Sequence, residues 1–272
     1  MPELDFPLIL EVEQLEQNLH DENLLLVDLS QGATYVQYHI PTAVYLDYAW
    51  IVRIEHPRMG LLPDPAQLTN VLGSLGITPE THVVTYDDEG GGRACRFLWT
   101  LEAAGHKRFS LLNGGLRAWS NEGHEISSRI CYPTPGEFQV DMDFSGVATR
   151  QFILDNLSND EVVLLDVRSP AEFKGEKVFA QRGGHIPGAV NIEWTEAMDK
   201  ERELRLKPEA ELRSMLESRG ITQDKTVVVY CQTHHRSAHT YIMLKSLGYQ
   251  RVKGYPGSWS DWGNEPNTPI EH

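Results

Sequence analysis

Cys231 opens the segment Cys231-Gln232-Thr233-His234-His235-Arg236, directly after the apolar run Thr226-Val227-Val228-Val229-Tyr230 and just before a helical pattern. A thiol at the carboxyl end of a buried strand, under a helix amino terminus, lies where backbone N–H groups and the helix dipole favour an anion. Free cysteine has a pKa of about 8.5, and helix amino termini and nearby cations lower it to roughly 3.5 to 7.5. The chemistry to expect is that of a nucleophilic thiolate. Two roles are open for Arg236: holding an anionic substrate, or turning back onto a carboxylate to pin the loop. His234 and His235 either add positive charge below about pH 6.5 or line the pocket as neutral rings. Gln232 and Thr233 complete the candidate binding loop, and Arg182, three residues before His185, is a candidate for its rim.

A metal cluster of Cys231, His234, His235 and His239 is disfavoured, because consecutive histidines point to different sides and a tight anion loop leaves no room for tetrahedral ligation. No metal and no cofactor are expected. Cys95, inside a helical pattern beside Phe97 and Leu98, reads as packing, and Cys131, in a stretch with Pro133, Pro135 and Gly136, as a bystander.

The elements that must position Cys231 are written twice. Leu24-Leu25-Leu26-Val27-Asp28 before His39-Ile40-Pro41 answers Val162-Val163-Leu164-Leu165-Asp166 before His185-Ile186-Pro187. Val83-Val84-Thr85-Tyr86 answers Val227-Val228-Val229-Tyr230, and Asn113 to Trp119 answers Pro256 to Trp262. Ordered landmarks of this kind imply two domains of like fold: residues 1–124, a linker over 125–149 without helical periodicity, and a catalytic domain over 150–272. Short unbroken Val/Leu/Ile strands alternating with helical patterns predict α/β domains, each a parallel sheet flanked by helices. In such sheets ligands collect at the carboxyl ends of strands. The repeat also exposes a difference: Asp87 stands opposite Cys231, so the first domain lacks the nucleophile. Its loop, Asp87-Asp88-Glu89-Gly90-Gly91-Gly92, reads as solvated and flexible. Arg168 and Glu172 have the i,i+4 spacing of a helical ion pair, with Ser169 as a helix cap.

The chain has 272 residues, 40% of them hydrophobic, and a formal net charge of -15, which argues against a broad nucleic-acid or anionic-membrane surface. Acids in Met1-Pro2-Glu3-Leu4-Asp5-Phe6, and no apolar run of membrane-spanning length, read as a cytoplasmic protein. Three widely spaced cysteines suit a reducing compartment.

The tandem halves, the run Gly-His-Ile-Pro-Gly-Ala-Val-Asn at Gly184 to Asn191, the Gly-Ser-Trp-Ser-Asp-Trp at Gly257 to Trp262 and the single Cys-initiated loop resemble rhodaneses, the two-domain thiosulfate:cyanide sulfurtransferases. The resemblance covers nearly the whole chain, and the Cys-Gln-Thr-His-His-Arg-Ser loop is similar to that of a bacterial subgroup. It implies two rhodanese-like domains and a double displacement: the cysteine takes a sulfane sulfur from a small anionic donor, holds it as a persulfide and hands it to a thiophilic acceptor such as cyanide. Gln232 and Thr233 depart from better-known rhodaneses, which place cations early in the loop, and this leaves the physiological donor open. Two rivals remain: a sulfur or selenium carrier serving a protein acceptor, and a cysteine-dependent phosphatase or arsenate reductase. The latter loops put five residues between Cys and Arg, whereas this one has four and suits a single sulfur or selenium atom.

Overall fold

The computed structural model describes residues 6–272; Met1–Asp5, on which the reading of the amino terminus partly rests, lie outside the described residues. The chain forms two compact units. The first holds a five-stranded sheet in the order Ile9–Leu10, Phe109–Leu112, His82–Tyr86, Leu24–Asp28, Val44–Tyr45, with every pairing parallel. The second holds a four-stranded sheet in the order Val252–Gly254, Thr226–Tyr230, Val162–Asp166, Val190–Asn191, again all parallel. Val147 bridges Gly254 in parallel, where the first sheet carries Ile9–Leu10. Strand for strand, the order is the same.

Helices cover the sheet faces, which is why the central strands are apolar throughout: all of His82–Tyr86, and all of Thr226–Tyr230 after its first residue, are buried. Helix Pro65–Ser74 starts where sequence chemistry puts it, with Pro65 in the first turn and the Asp64 carboxylate accepting the Gln67 N–H at 2.9 Å. It buries Leu68, Val71 and Leu72.

The repeated His-Ile-Pro segments do the same structural work in both units. The Tyr86 hydroxyl accepts the Ile40 N–H at 3.1 Å, and the Tyr230 hydroxyl accepts that of Ile186 at 3.2 Å. His39 stacks on Tyr35 and His185 on Phe173, each with Nδ1 at the carbonyl of the residue it stacks on. Two short segments sit with the other unit from the one their sequence position suggests. Val52–Leu62, carrying the antiparallel hairpin Arg53–Glu55 and Arg58–Leu61, belongs to the second unit, and Asp199–Leu206 to the first. Strands this short and this charged carry no periodicity that could assign them from sequence.

Candidate active site

Cys231 ends the strand Thr226–Tyr230, and helix Arg236–Ser246 begins five residues later. The loop is shaped from outside by the short helix Ser258–Trp262. The Trp259 N–H binds the Cys231 carbonyl and the Ser260 N–H binds the Gln232 carbonyl, both at 3.0 Å, while the Ser258 hydroxyl accepts the Cys231 N–H at 3.2 Å. A trans peptide sends its N–H opposite its carbonyl. Holding the Gln232 carbonyl outward therefore turns the Thr233 N–H inward, onto the sulfur. The N–H groups of Thr233 and Ser237 both bond Sγ, and the Ser237 hydroxyl donates to it at 3.4 Å.

Burial alone pushes the Cys231 thiol up, but the Arg236 charge, the Ser237 hydroxyl and the two N–H groups outweigh it, and the pKa lies below the ordinary thiol value. Cys95 is the control within the same chain. It is equally buried, lies near Asp87 instead of a cation, and its pKa is driven well above the ordinary value.

Arg236 is fixed by a two-pronged ion pair: its Nη1 and Nη2 each reach a Glu172 carboxylate oxygen at 2.8 Å. Of the two roles open from sequence, the geometry is that of the pinned loop. Glu172 also accepts the Ser169 N–H and hydroxyl in a capping box that starts helix Pro170–Phe173. Burial would raise the Glu172 pKa, yet the Arg236 fork and Ser169 hold it at about 2. The expected Arg168–Glu172 pair does not form. Arg168 lies before the helix cap, so i,i+4 geometry does not apply, and its guanidinium instead meets Asp166 and packs over Trp259, 4.4 Å from the ring centroid.

The hairpin Arg53–Leu61 closes against the same loop. Gly60 has φ +75°, and a Cβ there would stand 2.0 Å from the Thr233 carbonyl oxygen; the neighbouring Met59 N–H binds the Ser260 hydroxyl at 2.9 Å. Only glycine fits both constraints.

The other candidates divide. Gln232, Thr233 and His235 are partly exposed on the loop, whereas His234 is fully buried. The Gln232 amide donates to the Phe179 carbonyl at 3.2 Å, and His235 lies against Trp194. Arg182, the expected rim cation, is engaged with backbone carbonyls. Its guanidinium donates to the carbonyls of Trp262, Glu265 and Thr268, clamping the segment after helix Ser258–Trp262. A basic side chain at a helix carboxyl end satisfies carbonyls that have no partner within the helix. Arg182→Met is thus expected to cost about 2–4 kcal/mol of stability and to leave KM for a sulfur donor within twofold of the parent; thermal melts and steady-state kinetics check both.

Cys231 is almost fully enclosed, 1% exposed. Sequence reasoning missed Gly60, Ser258 and the engagement of Ser237 and Glu172. Ser237 alone carried a signal, as the residue that completes the cysteine loop.

The first unit shows what this loop geometry is for. Asp87 occupies the place of Cys231, and its two carboxylate oxygens accept the N–H groups of Glu89, Gly91, Arg93 and Ala94 at 2.7–3.0 Å. The loop is not the solvated, flexible one expected: Asp87 is 1% exposed, and Asp88 and Glu89 pair with Arg93. Positive φ at Gly90 and Gly91 lets successive N–H groups converge on one anion.

A cysteine of lowered pKa at a strand end, in one of two α/β units of like topology, fits a cysteine-dependent enzyme of the anion-loop class. Rhodanese-like domains match residues 11–122 and 149–265, and the chain belongs to that family. It is 46% identical over 265 residues to the thiosulfate sulfurtransferase of Azotobacter vinelandii, covering 97% of each chain. It is 33% identical to the sulfur carrier protein TtuD of Thermus thermophilus, over 96% of this chain and 95% of that one. Among solved structures it is similar to the 3-mercaptopyruvate sulfotransferase SseA from Escherichia coli, with 27% identity and a TM-score of 0.82 over 93% of this chain and 99% of that one.

Proposed function

We propose that this chain is a thiosulfate sulfurtransferase that carries the transferred sulfur as a persulfide on Cys231. The observation that carries the reading is the cradle on Sγ: two inward N–H groups and one hydroxyl, beside a guanidinium fixed by Glu172. The Cys231 thiolate attacks the outer sulfur of thiosulfate; the donor's S–S bond breaks, sulfite leaves with the electron pair, and a new S–S bond of about 2.05 Å forms on Cys231. Cyanide carbon then attacks the outer sulfur, thiocyanate departs and the thiolate returns. No net proton, metal or oxidant enters the balance. The same donors stabilise the thiolate and, after a small shift, the terminal persulfide sulfur, as an oxyanion hole stabilises developing charge.

The near-total enclosure of Cys231 favours donors that present a single protruding sulfur. It disfavours a tetrahedral phosphate, and aryl phosphate hydrolysis above background is not expected. Delivery to a protein acceptor is a second reading, favoured by the likeness to a sulfur carrier protein. Widely spaced free cysteines suit a reducing compartment such as the cytoplasm. Among the described residues no helix is long and apolar enough to cross a membrane.

Intact-mass measurement after thiosulfate, and again after cyanide, tests the persulfide. One sulfur atom should appear on the peptide containing Cys231 and then leave, with no gain in Cys231→Ser. Sulfur mapped to Cys95 or Cys131, or thiocyanate production surviving in Cys231→Ser, overturns the assignment. A stable persulfide with negligible cyanide turnover favours the carrier reading.

A further inference from the structure

His234 is an unusual residue to bury at the centre of an anion loop. It is fully enclosed, and its φ of +55° is a left-handed conformation that costs a side-chain-bearing residue free energy. Its Nδ1 lies 2.7 Å from the Ser237 hydroxyl, and that hydroxyl lies 3.4 Å from Cys231 Sγ. The three atoms form a chain whose polarity can run either way. With Nδ1 protonated, the imidazole donates to the Ser237 oxygen, and the hydroxyl proton is left to point at sulfur. With Nδ1 bare, the hydroxyl donates to the ring instead and turns an oxygen lone pair toward the sulfur, which repels a thiolate.

We infer that His234 is a positioning residue for sulfur transfer: as the Nδ1–H tautomer it fixes the direction of the Ser237 hydroxyl, so that Ser237 donates to the Cys231 thiolate and to the persulfide that replaces it. The inference rests on the thiolate chemistry proposed above, but it concerns the resting thiol and needs no sulfur donor to test. No proton is consumed, since the imidazole donates a hydrogen bond and transfers no proton. Other ionisable groups on the elements around the loop are Arg236 with Glu172, Asp166 with Arg168, Tyr230, His235, His239, Asp261 and, on the hairpin, Arg58. Of these Arg236 lowers the thiol pKa by its charge, and it is left intact by the variants below.

The test separates backbone from side chain. Asparagine tolerates left-handed φ and offers an N–H donor in place of Nδ1–H; glycine tolerates the same φ better and offers none. Iodoacetamide alkylation of Cys231, followed by mass spectrometry against pH, reads the thiol pKa. His234→Gly is expected to shift it up by about one unit, a tenfold loss of thiolate at a pH below both values. His234→Asn should stay within about 0.3 unit of the parent. Ser237→Ala should match the glycine shift, and His234→Gly should add nothing in the Ser237→Ala background. If His234→Gly keeps the parental pKa, or its shift adds to that of Ser237→Ala, the inference fails. It fails equally if His234→Asn shifts as far as the glycine variant. Should the glycine variant not fold, His234→Leu alone and with Ser237→Ala supplies the same cycle. Failure here leaves the persulfide assignment standing, because intact mass after thiosulfate reports that step separately.

Discussion

Glu172→Gln is expected to destabilise the protein by about 3 kcal/mol while leaving the Cys231 thiol at least as acidic as before. The Glu172 side chain is 4% exposed and that of Arg236 21%, so solvent screens the pair little. A pKa lowered from 4.5 to about 2 corresponds to about 3 kcal/mol of charged-state stabilisation at 1.36 kcal/mol per unit. Glutamine keeps the shape and still serves a capping box, so the loss isolates the charge. Arg236 keeps its positive charge beside the sulfur and loses only its neutralising partner. Arg236→Gln removes that charge and is expected to raise the thiol pKa and slow sulfur transfer at least tenfold. The sign of the pH dependence follows from the lowered carboxyl value. The contribution of Glu172 is present in full above about pH 4.5 and fades as pH falls toward 2, so the gap between parent and Glu172→Gln should close over that window. Denaturant titrations at several pH values measure it; a constant gap down to pH 3 would refute the ion pair as its source.

Gly60→Ala should lower turnover roughly 10- to 100-fold, the scale of a displacement near 1 Å at a reacting group. The added methyl meets the Thr233 carbonyl oxygen at 2.0 Å and its carbon at 2.7 Å, and the backbone sits at φ +75°. Backbone, unlike a flexible side-chain end, cannot step aside cheaply. Either the hairpin retreats or the Thr233–His234 peptide turns, and in the second case the loop segment that presents the Thr233 N–H to Sγ is displaced with it. Alkylation against pH distinguishes them: a turned peptide raises the thiol pKa, and a retreating hairpin lowers stability alone. Parental kinetics in a folded Gly60→Ala protein would mean that the hairpin does not constrain the loop.

The strands, the repeated topology and the place of Cys231 at a strand end were legible because they depend on local pattern. Thr226–Tyr230 followed by Cys231 and a helix start reads the same in sequence and in space. The partners of Arg236 and Arg182 were not, for a physical reason: a guanidinium reaches whatever carboxylate or carbonyl the fold delivers. The i,i+4 rule misled at Arg168 because a helix has to be continuous through both residues, and this one begins at Pro170. Gly60 was invisible because its constraint comes from the carbonyl of a residue in the other half of the sequence. Asp87 was misread as solvated, since a string of acids and glycines looks hydrophilic until its own amides are counted as ligands for one of those acids.

That last arrangement bears on capacity. A chain with two copies of one architecture has two nests for an anion, but one is permanently filled by a carboxylate tethered to its own backbone. On the persulfide reading proposed above, cargo loading saturates at a single atom per polypeptide, with a lone berth beside a plugged twin.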